Sequence, residues 1–156
     1  MAGRSTGHSE REKVVRRIVF CDIDQTIADS KWRETLITNS WDAFHAASID
    51  DKPFSDIIQV VNSCPGRIVG VTSRPEKWRQ VTSRWLIQYS AHFDELLMRA
   101  DNDFRPAHIT KVELIKGYLS KNPTAMLSLI FEDDEAVTQA YRAEGWTVLQ
   151  VHAGKR

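Results

Sequence analysis

Short apolar runs alternate with amphipathic segments along almost the whole chain, and few folds accept that order. Residues 15–22 (VRRIVFCD) read as a strand whose unbroken apolar stretch suits burial on both faces. FSDIIQVVNS, residues 54–63, reads as a helix with Ile57, Ile58 and Val61 on one side, closed by Pro65 and Gly66. RIVGVTS, residues 67–73, is a second strand. Residues 76–90 carry Trp78, Val81, Trp85 and Tyr89 at helical spacing, and FDELLMR, residues 93–99, is a third strand. Ile109, Val112, Ile115 and Leu119 are in phase for a helix over 109–119, and MLSLIF, residues 126–131, is a fourth strand. EAVTQAYRAEG, residues 135–145, predicts a last helix and WTVLQVH, residues 146–152, a fifth strand. Strand and helix in unbroken succession need right-handed crossovers, so the fold class expected is α/β with a doubly wound parallel sheet.

In such sheets ligands bind beyond the carboxyl ends of the strands. The first strand ends in Asp22, Ile23 and Asp24, the second in Thr72, Ser73 and Arg74, and the fourth in Glu132, Asp133 and Asp134. Lys111 falls in the first turn of the helix over 109–119. Asp22 and Asp24, at i and i+2, share one strand face, which forces two carboxylates together as the chain leaves the sheet. Such a pair calls for a neighbouring cation, a shared proton or a catalytic task. Alone it would also fit a strand that simply ends in a turn. The convergence of carboxylates, hydroxyl and cations from four separate segments argues for a site.

Composition narrows the setting. With 42% hydrophobic and 27% charged residues, the chain fits one globular domain, expected over residues 14–156 after a polar, disordered segment at 1–13. Two cysteines, Cys21 and Cys64, are too few for a disulfide framework and read as reduced thiols. No apolar stretch is long enough for a membrane span, and the polar start lacks the apolar core of a secretion signal, so a cytoplasmic location without a membrane partner is expected. Lysine plus arginine equals aspartate plus glutamate at 21 each, so any affinity for nucleic acid must be local.

These residues together resemble the haloacid dehalogenase (HAD) superfamily of phosphotransferases over nearly the whole chain. Asp22, Asp24 and Thr26 match its DxDxT motif, Thr72 the hydroxyl closing a strand, Lys111 the lysine, and Asp133 with Asp134 the acidic pair; Gln25 stands where glycine is common. The resemblance implies a Rossmann-like core and an Mg2+-dependent phosphatase. Asp22 would attack phosphorus to form an aspartyl-phosphate, and Asp24 would serve first as acid and then as base. Mg2+ would take Asp22, Asp133 or Asp134 and the backbone carbonyl of Asp24 as ligands. Thr72 would donate to a phosphoryl oxygen, and Lys111 would neutralise charge on the transferring group.

Residues 27–53, between the first motif and the next helix, are too few for a large cap, so a small flap and an open site are expected. An open site admits a polymer end, or a second copy of the chain closes it. Within the superfamily the resemblance is to the phosphatase domain of bacteriophage-type polynucleotide kinase, which removes 3′-phosphates from nucleic-acid ends. It is carried by DIDQTIADSKWR, VGVTSRPEKWR, LMRADNDFRPAHITK and FEDDEAV. It implies a phosphorylated nucleic-acid end as substrate, held by Thr26, Arg33, Ser73, Arg74 and Arg105; Trp32, beside the motif and near Arg33, is a candidate to stack on a base. Ala107 departs from the aspartate that this group more often has there, and no GxxxxGK[ST] motif accompanies the domain. Trp41 and Phe44 read as packing of the small cap, and His45 and His108 as surface or loop histidines. A nucleotide phosphatase using the same arginines is the alternative; a phosphoacceptor regulatory module is another, although it has no need of Asp24 as an acid.

Overall fold

The computed structural model describes residues 14–152, so the segment 1–13 lies outside the described residues. The chain runs β1 (Arg16–Cys21), β2 (Ala28–Asp29), a 3-10 segment (Lys31–Thr38), α1 (Trp41–Ala46), a second 3-10 turn (Ala47–Asp50), β3 (Lys52–Pro53) and α2 (Ser55–Ser63). It continues with β4 (Arg67–Pro75), α3 (Arg79–Gln88), β5 (Glu95–Arg99), α4 (Ala107–Lys121), β6 (Ala125–Glu132), α5 (Glu135–Ala143) and β7 (Val148–Gln150). Five strands form one sheet in the order β5-β4-β1-β6-β7, every neighbour pair parallel. The doubly wound α/β architecture is therefore the one the alternation predicts. The last strand, Val148–Gln150, is shorter than the apolar run, with the Thr147 carbonyl and the Val151 N–H making the flanking hydrogen bonds to β6.

The period of two along β1 explains the layers. Val19 and Cys21 pack with Ile58 and Val61 of α2 and Trp85 and Leu86 of α3. Ile18 and Phe20, pointing the other way, pack with Ile115 and Tyr118 of α4 and Val137 and Tyr141 of α5. A strand covered on both faces must be apolar where it is covered, as β1 is from Ile18 to Cys21 after the exposed Arg16 and Arg17. Gly66, at φ +110, makes the turn into β4; a Cβ there would stand 2.4 Å from the Arg17 carbonyl oxygen.

Two features position the site. The connections leave β1 toward β4 and β6 toward β7, so the crevice between the ends of β1 and β6 is the topological switch point. Between β2 and β3, which pair antiparallel through Ala28 with Pro53 and Asp29 with Lys52, the chain makes a short excursion that carries α1.

Candidate active site

Asp22 is the first residue past β1 and is buried, 4% exposed. Thr26 donates its hydroxyl to Asp22 Oδ2 at 2.7 Å and lies 3.1 Å from Asp133 Oδ1, which brings the ends of β1 and β6 together. The intervening turn is tight, since Thr26, Ile27 and Ala28 all donate to the carbonyl of Ile23, and Gln25 takes φ 60. That left-handed conformation explains why glycine suits this position.

Lys111 reaches in from α4, with Nζ 2.7 Å from Asp22 Oδ1 and 2.8 Å from Glu132 Oε2. Burial pushes its ammonium down, but the two carboxylates prevail and hold it well above the usual lysine range. Glu132 accepts from the backbone N–H groups of Asp133 and Asp134, both at 3.1 Å, and so shapes the acidic loop as well as holding the lysine. Burial and then the facing Asp22 push the Asp133 carboxyl up to about 9. Asp22, Glu132 and Asp133 each offer an oxygen within 4.8 Å of the others. An all-carboxylate donor set suits a hard cation such as Mg2+. Asp134 turns away: its Oδ1 accepts from Val137 N–H at 2.8 Å and caps α5.

Asp24 is held from another direction. Arg33 Nη2 lies 2.5 Å from Asp24 Oδ1, while Arg74 contacts both oxygens, Nε to Oδ2 at 3.0 Å and Nη2 to Oδ1 at 2.7 Å. Burial pushes the Asp24 carboxyl up, but the charges of Arg74 and Arg33 and the Arg74 hydrogen bonds hold it well below the usual carboxylate range. Arg74 gets there because the β4–β5 pairing skips between Thr72 and Pro75, and a bulge of this kind re-aims a side chain. Both arginines are buried, at 0% and 1% exposure, and both also meet the buried Asp51. Arg33 Nε donates to Asp51 Oδ1 at 2.7 Å and Arg74 Nη2 to Asp51 Oδ2 at 3.3 Å. Trp32 donates its indole N–H to Asp51 Oδ1 at 3.0 Å, and Trp85 to the Asp51 carbonyl at 2.8 Å.

The sequence reading missed Asp51. Its one signal is indirect: two arginines near strand ends, if buried, need a carboxylate partner. Arg33 and Arg74, expected to hold the substrate, both contact Asp24 and Asp51, and Arg74 also borders the space beyond Asp24, while Trp32 gives its indole N–H to Asp51 and remains 48% exposed. Arg105 is not brought to Asp22 at all; it forks onto Asp103 and Glu113 at the surface. His45, read as a surface or loop residue, is 8% exposed, because α1 stacks it between Trp41 and Trp78. Thr72 is fully buried, its Oγ1 accepting from Arg74 N–H at 3.1 Å with the hydroxyl proton left to donate. Ser73, next in the bulge, joins Asp22, Asp24, Lys111 and Asp133 around a cavity of about 180 Å³.

The family model described as the polynucleotide kinase PNKP phosphatase domain matches residues 16–155. A chain of the Pnkp1/Rnl/Hen1 complex is 22% identical, superposes with a TM-score of 0.75, and matches over 99% of this chain and 52% of its own length. A chain of the Pnkp1/Rnl/Hen1 RNA repair complex gives 22% identity and 0.77 over 98% and 48%. The present chain thus spans about half the length of those two. The L-2-haloacid dehalogenase of Xanthobacter autotrophicus, with chloropropionic acid covalently bound, is 11% identical, with a TM-score of 0.60 over 91% of this chain and 79% of that one. At these identities the likeness is one of fold. Among curated proteins nothing matches.

Proposed function

The chain belongs to the family of polynucleotide kinase PNKP phosphatase domains and is a HAD-type phosphatase, and from that premise we propose that it removes 3′-phosphates from nucleic-acid ends through an aspartyl-phosphate, with Mg2+ as cofactor. The observation that carries this reading is the division of labour between two aspartates two residues apart. Asp22 faces the lysine and the acidic loop, and Asp24 faces two buried arginines.

Asp22 is the nucleophile. Lys111 and Thr26 fix its carboxylate, and the Lys111 charge also meets the charge that builds on the transferring phosphoryl group. Asp22 and Asp133 would hold Mg2+, with the backbone carbonyl of Asp24, and the bound ion would offset the charge gathered on the phosphoryl oxygens. Ser73 offers a hydroxyl donor on the wall of the same cavity, and the buried Thr72 precedes it on β4.

Asp24 transfers protons. The arginines keep it ionised at rest, which suits the hydrolytic half-reaction, in which it takes a proton from the water that attacks the aspartyl-phosphate. In the preceding half-reaction it gives a proton to the leaving ester oxygen, since the incoming phosphoryl anion raises the proton affinity of the neighbouring carboxylate, and the water then restores that proton. A phosphoacceptor regulatory module would have no use for a second carboxylate so equipped. Arg33 and Arg74 are positioning residues for Asp24.

The test is a substrate panel with Mg2+: 3′-phosphorylated oligonucleotide, 5′-phosphorylated oligonucleotide and mononucleotides. The highest kcat/KM is expected on the 3′-phosphorylated oligonucleotide. A preference for mononucleotides would replace this reading with that of a nucleotide phosphatase, and turnover of none would remove it.

A further inference from the structure

A second cavity, of about 590 Å³, opens on the other side of Asp24. It lies between α1 and the loop from β5 to α4, and Ser73 and Asp24 belong to its wall as well as to that of the smaller cavity. The two therefore adjoin at residues that would meet a reacting phosphate. Its volume is within the range of roughly 300 to 1,000 Å³ typical of small-ligand sites.

Its wall has three features that folding alone does not explain. Trp41 is 60% exposed and Phe104 86% exposed, two large aromatic rings from different segments left open on one cavity. His45 belongs to the same wall and is buried, yet its Nδ1 has no hydrogen-bond partner; burial lowers its pKa to about 4, so the imidazole is neutral. Ser73 Oγ is likewise buried and without a partner. Buried polar atoms of this kind are ordinarily satisfied, and with Arg99 Nε there are three in this wall, which mark where a ligand's polar groups would sit. The charge of the wall selects among ligands. Its carboxylates, Asp24 and Asp42 among them, outnumber its cations, and Lys77 is already paired with Asp42 at 2.7 Å. Such a wall does not favour a run of backbone phosphates, but it accepts an uncharged nucleoside.

We propose that this cavity is the subsite for the terminal nucleoside of the substrate, with its base stacked on Trp41 and Phe104 and its hydroxyl or base-edge groups facing His45 and Ser73. The inference rests on the nucleic-acid-end reading above and deepens it. It places base stacking on two side chains of the cavity wall rather than on Trp32, which does not line that cavity.

The experiment compares three phosphates: a 3′-phosphorylated oligonucleotide with an intact terminal base, the same oligonucleotide with an abasic terminal nucleotide, and glycerol phosphate, which has no ring to stack. Each is assayed with the wild type, Trp41→Ala and Phe104→Ala. The wild type is expected to prefer the intact end over the abasic end by roughly tenfold in kcat/KM, the effect of one lost base-aromatic stack. Each variant should shrink that ratio toward one. If both variants keep the wild-type ratio, the subsite is wrong while the function stands. If the wild type itself handles glycerol phosphate as well as either oligonucleotide, the nucleic-acid reading and the subsite fall together. Phe104, being so exposed, contributes little to folding, so its variant remains informative even if Trp41→Ala destabilises the cap.

Discussion

Asp51 shows how a single buried carboxylate can organise a site it does not enter. It balances Arg33 and Arg74, which in turn hold Asp24, so its loss should act on stability first. Asp51→Ala leaves two buried guanidinium groups short of a partner, and removing one member of a buried ion pair costs roughly 3 to 5 kcal/mol. Urea unfolding of the variant should show a loss of that order, and a loss below about 1 kcal/mol would mean that the arginines rearrange onto Asp24 alone. At Arg74 the geometry gives a sharper expectation. If it positions Asp24, Arg74→Ala should lower turnover of a small phosphate and of an oligonucleotide by similar factors, roughly ten- to a hundredfold for one lost charge-assisted contact. A loss confined to the oligonucleotide would return Arg74 to substrate binding. Asp22→Asn should abolish turnover with the fold intact, and retention of a tenth of the wild-type rate would remove Asp22 as nucleophile.

Elements matter here mainly through their ends. β4 both carries the site and forms the sheet interior, and its two halves follow different rules. At Gly70, which pairs with Cys21 on one side and Leu96 on the other, a Cβ would come within 2.7 Å of Leu96 Cδ1 and 2.8 Å of Phe93 Cδ2. Gly70→Ala should therefore destabilise by roughly 1 to 3 kcal/mol through overpacking against α3's side of the sheet. A thermal scan is the check, and an unchanged midpoint would show that Phe93 yields freely. Four residues on, the bulge frees the same strand from its β5 partner and turns Arg74 toward Asp24. The alternation of apolar runs gave no sign of that bulge, because RIVGVTS reads as regular strand to its last residue.

For the molecule as a whole, the carboxylates gathered between β1 and β6 link metal binding to stability. An ion that binds only the folded protein stabilises it by about 2.7 kcal/mol at a hundredfold excess over Kd. In a chain of this size that corresponds to a rise in Tm of roughly 5 to 10 °C. Mg2+ should produce such a rise in the wild type, and Asp133→Asn should abolish it. A rise that survives in Asp133→Asn would place the ion elsewhere. Among the described residues no helix is long and apolar enough to cross a membrane.

Asp22, Asp24, Thr26 and Lys111 were legible in the sequence because their placement is local: a strand end, a spacing of two and the first turns of a helix. The order of strands and helices was legible for the same reason, as periodicity is set by neighbours along the chain. What Arg33, Arg74, Asp51 and His45 do was not. Each is a polar or charged side chain that becomes buried only when residues 28–53 fold back against β4 and α3, and a buried charge takes its role from the partner that closure supplies. Asp51 lies 18 residues from Arg33 and 23 from Arg74, and Asp24 lies 50 from Arg74. The sequence determined which groups were available at the ends of the strands. The tertiary structure alone decided which would face one another, since two guanidinium groups cannot be buried except where the chain brings carboxylates to meet them.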